Sequence, residues 1–453
     1  MAKMTLGPVI GKVTDTTARV LVEADGGAQV TCTLTGPDVP AIEQKKKLPK
    51  NRPTVFSFTG LQPSTPYSVT LDGLTAPRVG RVITLATDPD RLNLAVVSCN
   101  NTPRRGETEL WQDLFQRYVA TGDVQLVLHA GDQVYGDRAF EGALRVLDGK
   151  PKATASQKRK ILELYRQLYR WAWNHPPTRA VLATVPNLMI WDDHEIRDDW
   201  GSRSSDKSVG TPEYLIGTLA RRVYREYQRQ LWDDFDTDAD PPTEELEHHE
   251  HVWGPIGVLF VDQRGGRSFA YDPARPYLGT TQWDSITKSL TTGPLSRVRA
   301  LIVVTSVPLV YLGTTTSSLG SVVVNDLCDH WAFGPHQKEQ IEMLRTLRQW
   351  KESAMDRDLM VVAGDVHIGG ETEIRHNGHP VFRQLISSGI TNSAPPLLAY
   401  AAIRLLLEQE ESIGSSYTFE HANFTNKRNF GIVLVRIPAG AQRPLIKGSL
   451  FKA

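Results

Sequence analysis

The sequence is short of cysteine, has no excess of charge of either sign and contains no long apolar run. Its 453 residues include three cysteines, Cys32, Cys99 and Cys328. Three thiols so far apart are no disulfide framework, and a chain this long buries enough core to need none. They fit a reducing compartment and leave at least one thiol free for other work. Lys plus Arg number 51 and so do Asp plus Glu, so the formal net charge is zero. That removes any global charge argument for nucleic acid or a membrane surface. The longest nearly apolar stretch, Ala300 to Leu312, is too short and too broken to span a bilayer. The first residues, Met1 to Pro8, hold no apolar run of the signal-peptide kind. The expectation is a cytoplasmic protein, or an exported one if a leader has been removed.

What is present divides the chain in two. Up to about Leu85 the pattern is short strands between turns. Ala18–Glu23 and Tyr67–Leu71 alternate at period two, and Pro, Gly and Asp clusters such as Thr35–Asp38 bound them. This predicts a small β-sandwich. Leu61–Tyr67 resembles the L-x-P-x-T-x-Y corner of fibronectin type III domains, in which the tyrosine packs and caps a strand turn. Lys45–Lys47 reads as a solvated loop. After a linker at Thr87–Asp90 the rhythm changes. Buried-strand runs (Arg91–Ser98, Val124–His129, Asn187–Trp191, Gly257–Val261, Ala300–Val304, Leu359–Val362) alternate with helical stretches (Glu107–Ala120, Gln157–Trp173, Thr211–Trp232, His336–Glu352). That alternation predicts a layered α/β domain with a parallel or mixed sheet. The division is residues 1–88 as sandwich and 89–453 as the second domain. Thr237–Glu250 reads as an exposed acidic loop, with His248–His251 a solvated turn at its end.

In open α/β sheets, ligands bind beyond the carboxyl ends of strands. Here those ends carry Ser98-Cys99-Asn100, then His129-Ala-Gly-Asp132 with Tyr135, then Trp191-Asp-Asp193-His194-Glu195, then Asp262-Gln-Arg264 with Arg267, and Gly364-Asp365-Val-His367. Packing alone does not explain so many acids at buried ends, because buried carboxylates are costly unless paired or metal-bound. The types sort into two environments. Cys thiolate, Tyr phenolate and His suit a transition metal. Asp132, Asp193 and Asp365 offer hard oxygens for calcium, magnesium or manganese. A shared carboxylate would make a two-metal site about 3.5–4 Å across, as used for hydrolytic attack at phosphorus.

Taken together, Gly131-Asp132-x-x-Tyr135, Trp191–Glu195 and Gly364–His367, preceded by Ser98-Cys99, resemble the PhoD-like alkaline phosphatases of the calcineurin-like metallophosphoesterase superfamily. Asp262-x-Arg264-x-x-Arg267 resembles that family's D-x-R-x-x-R segment, and Asp329-x-Trp331 followed by Pro335 its D-x-W-…-P segment. The resemblance covers about residues 92–435. It implies a four-layer α/β (α+β) metallophosphoesterase sandwich with mixed sheets, preceded by the small fibronectin- or immunoglobulin-like β-sandwich. It implies a binuclear centre: iron (Fe3+) held by Cys99, Tyr135 and His367, Ca2+ (or Mn2+/Mg2+) held by Asp193 and Asp365, and Asp132 as the bridge. It gives His194 the task of meeting the phosphate or protonating the leaving oxygen. Arg264 and Arg267 would either hold phosphate oxygens or only form ion pairs with Asp262; Arg264 is carried forward as catalytic. The implied substrate is a small-molecule phosphate ester, with no specific nucleic acid and no membrane span.

The chain departs from the pattern in three places. The strand Leu301–Pro308 has no histidine where many metallophosphoesterases place a further ligand, which favours a hard cation at the second site. The family's usual export signal is not seen. Phe333-Gly334 departs from an aromatic-rich segment. Two further readings stand beside the phosphatase: a phosphodiesterase or phospholipid- or nucleotide-cleaving activity on the same site, or a non-catalytic scaffold with a vestigial metal site. His194-Glu195 is not H-E-x-x-H, since Asp198 stands at the later position, which disfavours a zinc protease. Specificity would lie in loops around Gly136–Gln157, Asp198–Gly210 and Gly313–Asp329. Cys32 and Cys328 read as structural thiols.

Overall fold

A computed structural model describes residues 1–102, 109–242, 246–267, 277–313, 330–392, 410–440 and 442–453. Residues 1–83 form two four-stranded sheets. One runs Thr54–Phe58, Ala18–Ala24, Ala2–Val13, Leu74–Thr75, and the other Ile42–Leu48, Ala28–Thr35, Pro66–Asp72, Gly80–Ile83. Alternate side chains meet between them, among them Val20, Val22, Cys32, Leu34, Phe56, Tyr67 and Val69. The Tyr67 hydroxyl accepts the Gln62 backbone N–H at 2.8 Å, which is the tyrosine corner expected from Leu61–Tyr67. Lys45–Lys47 is not a loop. It lies in the edge strand Ile42–Leu48, with Lys46 Nζ donating to Val55 O at 2.7 Å. Only backbone enters a β-ladder, and lysines on an edge strand discourage further pairing.

The sandwich is not merely tethered. Leu6, Val9, Leu21 and Val55 point away from its own core into the main one. Buried Glu23 accepts from Arg170 Nη1 at 2.6 Å and from the Tyr227 hydroxyl at 2.9 Å. Trp253 Nε1 donates to Val13 O at 3.0 Å.

Two mixed sheets make the main body. The first, of five strands, runs Asn187–Ile190, Leu126–Ala130, Arg91–Val97, Asn429–Arg436, Leu445–Lys452; its first three strands are parallel and the last two antiparallel. The second has a parallel centre, Ile256–Val261, Ala300–Thr305, Asp358–Ala363 and His379–Ile386, with antiparallel strands on either side. Their central strands are apolar on both faces because both faces are covered. Leu94, Val96 and Leu128 of the first sheet meet Ile302, Val304 and Val362 of the second. On the far side of the second sheet, Leu301, Val303 and Val361 meet helices Thr280–Thr291 and Gln337–Glu352. On the far side of the first, Ala95, Val97 and Val127 meet helices Trp111–Leu114 and Pro176–Leu182. Helix, sheet, sheet, helix is the four-layer arrangement expected.

Several local expectations change. The helix read at Glu107–Ala120 begins at Trp111 and continues as a π-helical turn, Phe115–Val119, while residues 103–108 lie outside the described residues. The segment read as the loop Gly136–Gln157 contains helix Asp137–Leu147, capped at its end by Asp148 at φ 52°. His248–His251 is not a solvated turn. It enters strand His249–Trp253, where His249 lies stacked between Trp232 (4.1 Å) and Phe260 (4.2 Å). A neutral imidazole packs like a small aromatic when its nitrogens are bonded. Here His249 Nδ1 meets His251 Nε2 at 2.7 Å and His249 Nε2 meets Met189 O at 3.1 Å. Asp329 and Cys328 lie outside the described residues, as does most of the loop at Gly313–Asp329.

Candidate metal centre

The two sheets touch where their parallel strands end. Gly364 marks the contact: a Cβ there would stand 2.5 Å from Ala130 O and 2.5 Å from Ser98 Cβ. Gly131, at φ 86°, likewise leaves no room, since its Cβ would lie 2.6 Å from that of Asp192. Only glycine permits this approach.

Cys99, Asp132 and Asp193 follow three adjacent parallel strands of the first sheet, and Asp365 and His367 follow strand Asp358–Ala363 of the second. Four of these five residues take left-handed backbone angles: Cys99 (53°), Asp132 (57°), Asp365 (68°) and His367 (55°). The conformation costs a non-glycine residue about 1–2 kcal/mol and collects at functional sites. Here it turns each side chain sharply off its strand end into one space. Local bonds hold the strained turns. Asn100 N donates to Asp132 O at 2.8 Å and His367 N donates to Ser388 Oγ at 2.7 Å. Glu195 is the main brace. Its buried carboxylate accepts backbone N–H groups from Asp132 (3.1 Å), Gln133 (2.7 Å) and Asp192 (2.7 Å), and the Gln228 side-chain amide at 2.9 Å. Burial raises its pKa to about 7 despite these donors.

The side chains form two overlapping clusters. Ligand atoms of Cys99, Asp132 and His367 lie within 4.8 Å of one another, and so do those of Asp132, Asp192, Asp193 and Asp365. Asp132 belongs to both. The Tyr135 hydroxyl joins the first cluster, 3.4 Å from His367 Nε2, and Asn392 Nδ2 reaches both at 3.0 and 2.7 Å.

This donor set fits metal ions. Both carboxylate oxygens of Asp132 are buried without a hydrogen-bond partner among the described residues. Burial, then the charges of Cys99, Asp193, Asp192 and Glu195, push its pKa well up. Burial first, and then the same acidic neighbourhood, raises Tyr135 well above the usual phenol value. The Cys99 thiol is raised by burial, although Ser98 Oγ and Ser388 Oγ lie 3.3 Å from its sulfur. Arg264 offsets part of the charge at Asp192 and Asp193, but buried carboxylate oxygens such as those of Asp132 stay expensive, and a cation between them removes the expense. Sulfur, phenol and the His367 imidazole gather with Asp132 in one cluster, and four carboxylates, Asp132 among them, make the other.

His194 stands beside the cluster with Asp132 and Asp193. Its Nδ1 is 3.1 Å from Asp137 Oδ2, its Nε2 is 3.6 Å from Asp198 Oδ1, and its ring stacks on Tyr135 at 4.0 Å. Burial pulls its pKa down, but Asp193, Asp137 and Asp198 outweigh burial and raise it to about 10. These three carboxylates therefore favour the charged form of the His194 ring.

Arg264 is not on the open side of the site. It is completely buried, its Nε donating to Asp192 Oδ1 and its Nη2 lying 3.6 Å from Asp193 Oδ1. Arg267 lies further off, donating to Ser202 Oγ at 3.1 Å. Neither arginine rests on Asp262. That carboxylate is occupied by Trp191 Nε1 (2.7 Å) and the backbone N–H groups of Arg264 (3.0 Å), Gly265 (2.8 Å) and Glu247 (2.8 Å).

Sequence reasoning brought Cys99, Asp132, Tyr135, Asp193, His194, Asp365 and His367 to one place and missed others. Asp192 and Glu195 stood inside a quoted motif but had no assigned task. Asp137 sits two residues after Tyr135 and partners His194. His330, beside Trp331, places Nε2 3.6 Å from Asp365 Oδ2, so an imidazole does reach this side of the site, though from outside the strand at Leu301–Pro308. Asn392 had no signal in the sequence at all.

Comparison with known proteins bears on the family and the fold. A family model described as PhoD-like phosphatase matches residues 94–443, and one described as a domain of unknown function (DUF7800) matches residues 1–81. An uncharacterized protein of Saccharomyces cerevisiae, YGR266W, is 27% identical over 171 residues, 31% of this chain and 24% of that protein. The match thus spans about a quarter of that relative's length. Among solved structures, one titled PhoD superposes with TM-score 0.70 at 14% identity, covering 99% of this chain and 90% of that one. Purple acid phosphatase PPD1 from yellow lupin (Lupinus luteus) superposes with TM-score 0.59 at 10% identity, covering 98% and 73%.

Proposed function

This chain belongs to the PhoD-like phosphatase family, and on that premise we propose that it is a metal-dependent phosphoesterase that cleaves a phosphate mono- or diester by direct attack of water. The observation that carries the reading is Asp132, a buried carboxylate shared by two ligand clusters and satisfied by neither hydrogen bond nor ion pair among the described residues. Cys99, Tyr135 and His367 would hold iron, Asp193 and Asp365 would hold calcium or another hard divalent ion, and Asp132 would bridge. Asp192 and His330 support the hard-ion side through Arg264 and Asp365. Bound metals supply charge for the phosphoryl oxygens and acidify water at neutral pH.

The chain's own residues do the rest. Cationic His194 faces the cluster and gives its charge to the phosphoryl group and its proton to the leaving oxygen. Asp137 accepts at Nδ1 and so fixes the ring and directs Nε2. Arg264 acts as a positioning residue that fixes Asp192 and Asp193. No covalent enzyme intermediate is needed, since water is the nucleophile. The division into residues 1–88 and 89–453 belongs to the same reading, with the sandwich as a buttress to the catalytic body.

The test is metal analysis of the purified chain together with hydrolysis of nitrophenyl mono- and diesters, with Fe, Ca2+ and Mn2+ added separately. Bound metal with turnover is expected, and the faster ester class decides between phosphatase and phosphodiesterase. Near-zero metal with no turnover on either ester would overturn the reading in favour of a scaffold.

A further inference from the structure

Behind the metal centre lies a second cavity of about 540 Å³, a volume usual for small-molecule sites. Trp191, Trp200 and Tyr214 give it aromatic walls, and Lys207, Arg221 and Arg267 bring three cations to it. Among the described residues that line it the one acid, Asp206, is already occupied, holding Arg197 Nη2 at 2.6 and 2.7 Å and the Gly201 N–H at 3.0 Å. Arg221 is matched by Glu247 at 2.7 Å. Lys207 is not matched by an acid: among the described residues its Nζ meets only carbonyl oxygens, Arg264 O at 2.7 Å and Gly265 O at 3.5 Å. Burial lowers its pKa to about 7. Glycines at 265, 266 and 279 line the same space and keep it open. Arg264 divides this cavity from the metal ligands, since its side chain faces Asp192 and Asp193 while its carbonyl faces Lys207.

We propose that this cavity is a separate binding site for a small organic anion, a phosphate or carboxylate group on a flat, partly apolar body, with Lys207 as its principal anchor. The anion supplies the counter-charge that Lys207 lacks among the described residues, and a flat body has three aromatic side chains to lie against. The site does not depend on the reaction proposed at the metals, and it is read without hydrolysis.

The probe is 2-formylphenylphosphonate, whose aldehyde lies on the ring carbon next to the anion that Lys207 anchors and whose carbon–phosphorus bond a phosphoesterase does not cut. The neutral Lys207 amine adds to the aldehyde carbon, water leaves and a C=N bond forms. Borohydride then delivers hydride to that carbon while the nitrogen takes a proton from water, fixing the label for peptide mass spectrometry. With the full-length, metal-loaded protein at pH 7.5, Lys207 is expected to label at least about tenfold faster than surface lysines. Neutral 2-methoxybenzaldehyde should label it at least about tenfold more slowly than the phosphonate. Added phenylphosphonate or benzoate should slow labelling about tenfold or more, and whichever protects at lower concentration identifies the anion class. K207R should lose the label at this position while leaving surface labelling unchanged. If K207R does not fold, the competition on the unaltered chain still decides. Labelling spread over lysines by exposure, equal labelling by the neutral aldehyde, or no protection by either anion would each overturn the proposal.

Discussion

The carboxylate of Glu195 accepts the backbone N–H of Asp132 at 3.1 Å, across 62 intervening positions of chain, and with its other oxygen the N–H of Gln133 at 2.7 Å. Asp132 is thereby held at φ 57°, the angle that directs its side chain between the two ligand clusters. Glu195, which belongs to neither ligand cluster, sets the geometry of the residue that both clusters share.

Glu195→Gln should therefore act on metal binding. An amide NH2 set against backbone N–H groups loses acceptors and leaves buried donors unmet, at a cost of about 1–3 kcal/mol. Metal affinity should fall about 10- to 100-fold, the usual effect of losing a group that orients a ligand. Metal titration with thermal unfolding checks this, and unchanged affinity would refute the bracing role.

Cys99→Ala removes the sulfur from the softer cluster while leaving the carboxylate cluster intact. Bound iron should fall at least about tenfold, with calcium binding changed less than about threefold. Metal analysis of the two proteins side by side is the measurement, and a variant that keeps its iron would sink the ligand assignment.

Asp137→Asn should lower kcat about 10- to 100-fold with little change in KM. The sign of its pH effect follows from the carboxylates around His194. Burial favours the neutral ring, and Asp193, Asp137 and Asp198 hold it charged with a pKa raised to about 10. Removing one carboxylate lets that pKa fall, so the alkaline limb of the pH–rate profile should move toward neutral. An unmoved limb would mean that His194 does not donate the proton.

His421 gives a separate prediction about stability. Buried, with Nδ1 at 2.8 Å from Thr372 Oγ1 and Nε2 at 2.8 Å from Tyr311 O, it has a pKa lowered to about 4 by burial. The unfolded chain takes up this proton near pH 6.5 and the folded chain does not, so its contribution is full above pH 6.5 and is lost as pH falls toward 4. The loss is about 2 kcal/mol at pH 5. Between pH 8 and pH 5 the unaltered protein should lose about 2 kcal/mol more stability than His421→Gln in urea unfolding. Equal losses would show that the ring is protonated in the folded state.

Glu23→Ala tests the join between sandwich and body. It strips Arg170 and Tyr227 of a buried partner, at a cost of about 3 kcal/mol. If the shared core makes one cooperative unit, unfolding stays a single transition at a lower midpoint, followed by calorimetry. Two transitions would show that the sandwich unfolds by itself.

Much of the site was legible because each ligand follows an apolar run, and such runs show in a linear pattern. The strands ending at Val97, Ala130, Ile190 and Ala363 could be read, and with them Cys99, Asp132, Asp193, Asp365 and His367. The strands Gly369–His376 and Tyr417–Thr425 were not read, since polar residues such as Glu371, Glu373, Thr418 and Glu420 interrupt them and neither holds a continuous apolar run. The His249 segment was misread because histidine is polar by type, and only Trp232 and Phe260 on either side of it make it a core residue.

What the sequence by itself determined is the inventory: an N-terminal sandwich with its Tyr67 corner, a layered body, and a set of soft and hard metal donors at strand ends. What only the tertiary structure decided is how those donors are held. The left-handed turns at Cys99, Asp132, Asp365 and His367, the bond from Asp137 to His194, the burial of Arg264 behind Asp192, and the arrival of His330 and Asn392 all depend on segments distant in the chain. A one-dimensional pattern reports the period of burial along each element. It carries no term for the contact between two sheets, and that contact, made at Gly364 against Ala130 and Ser98, gathers the strand ends into one centre.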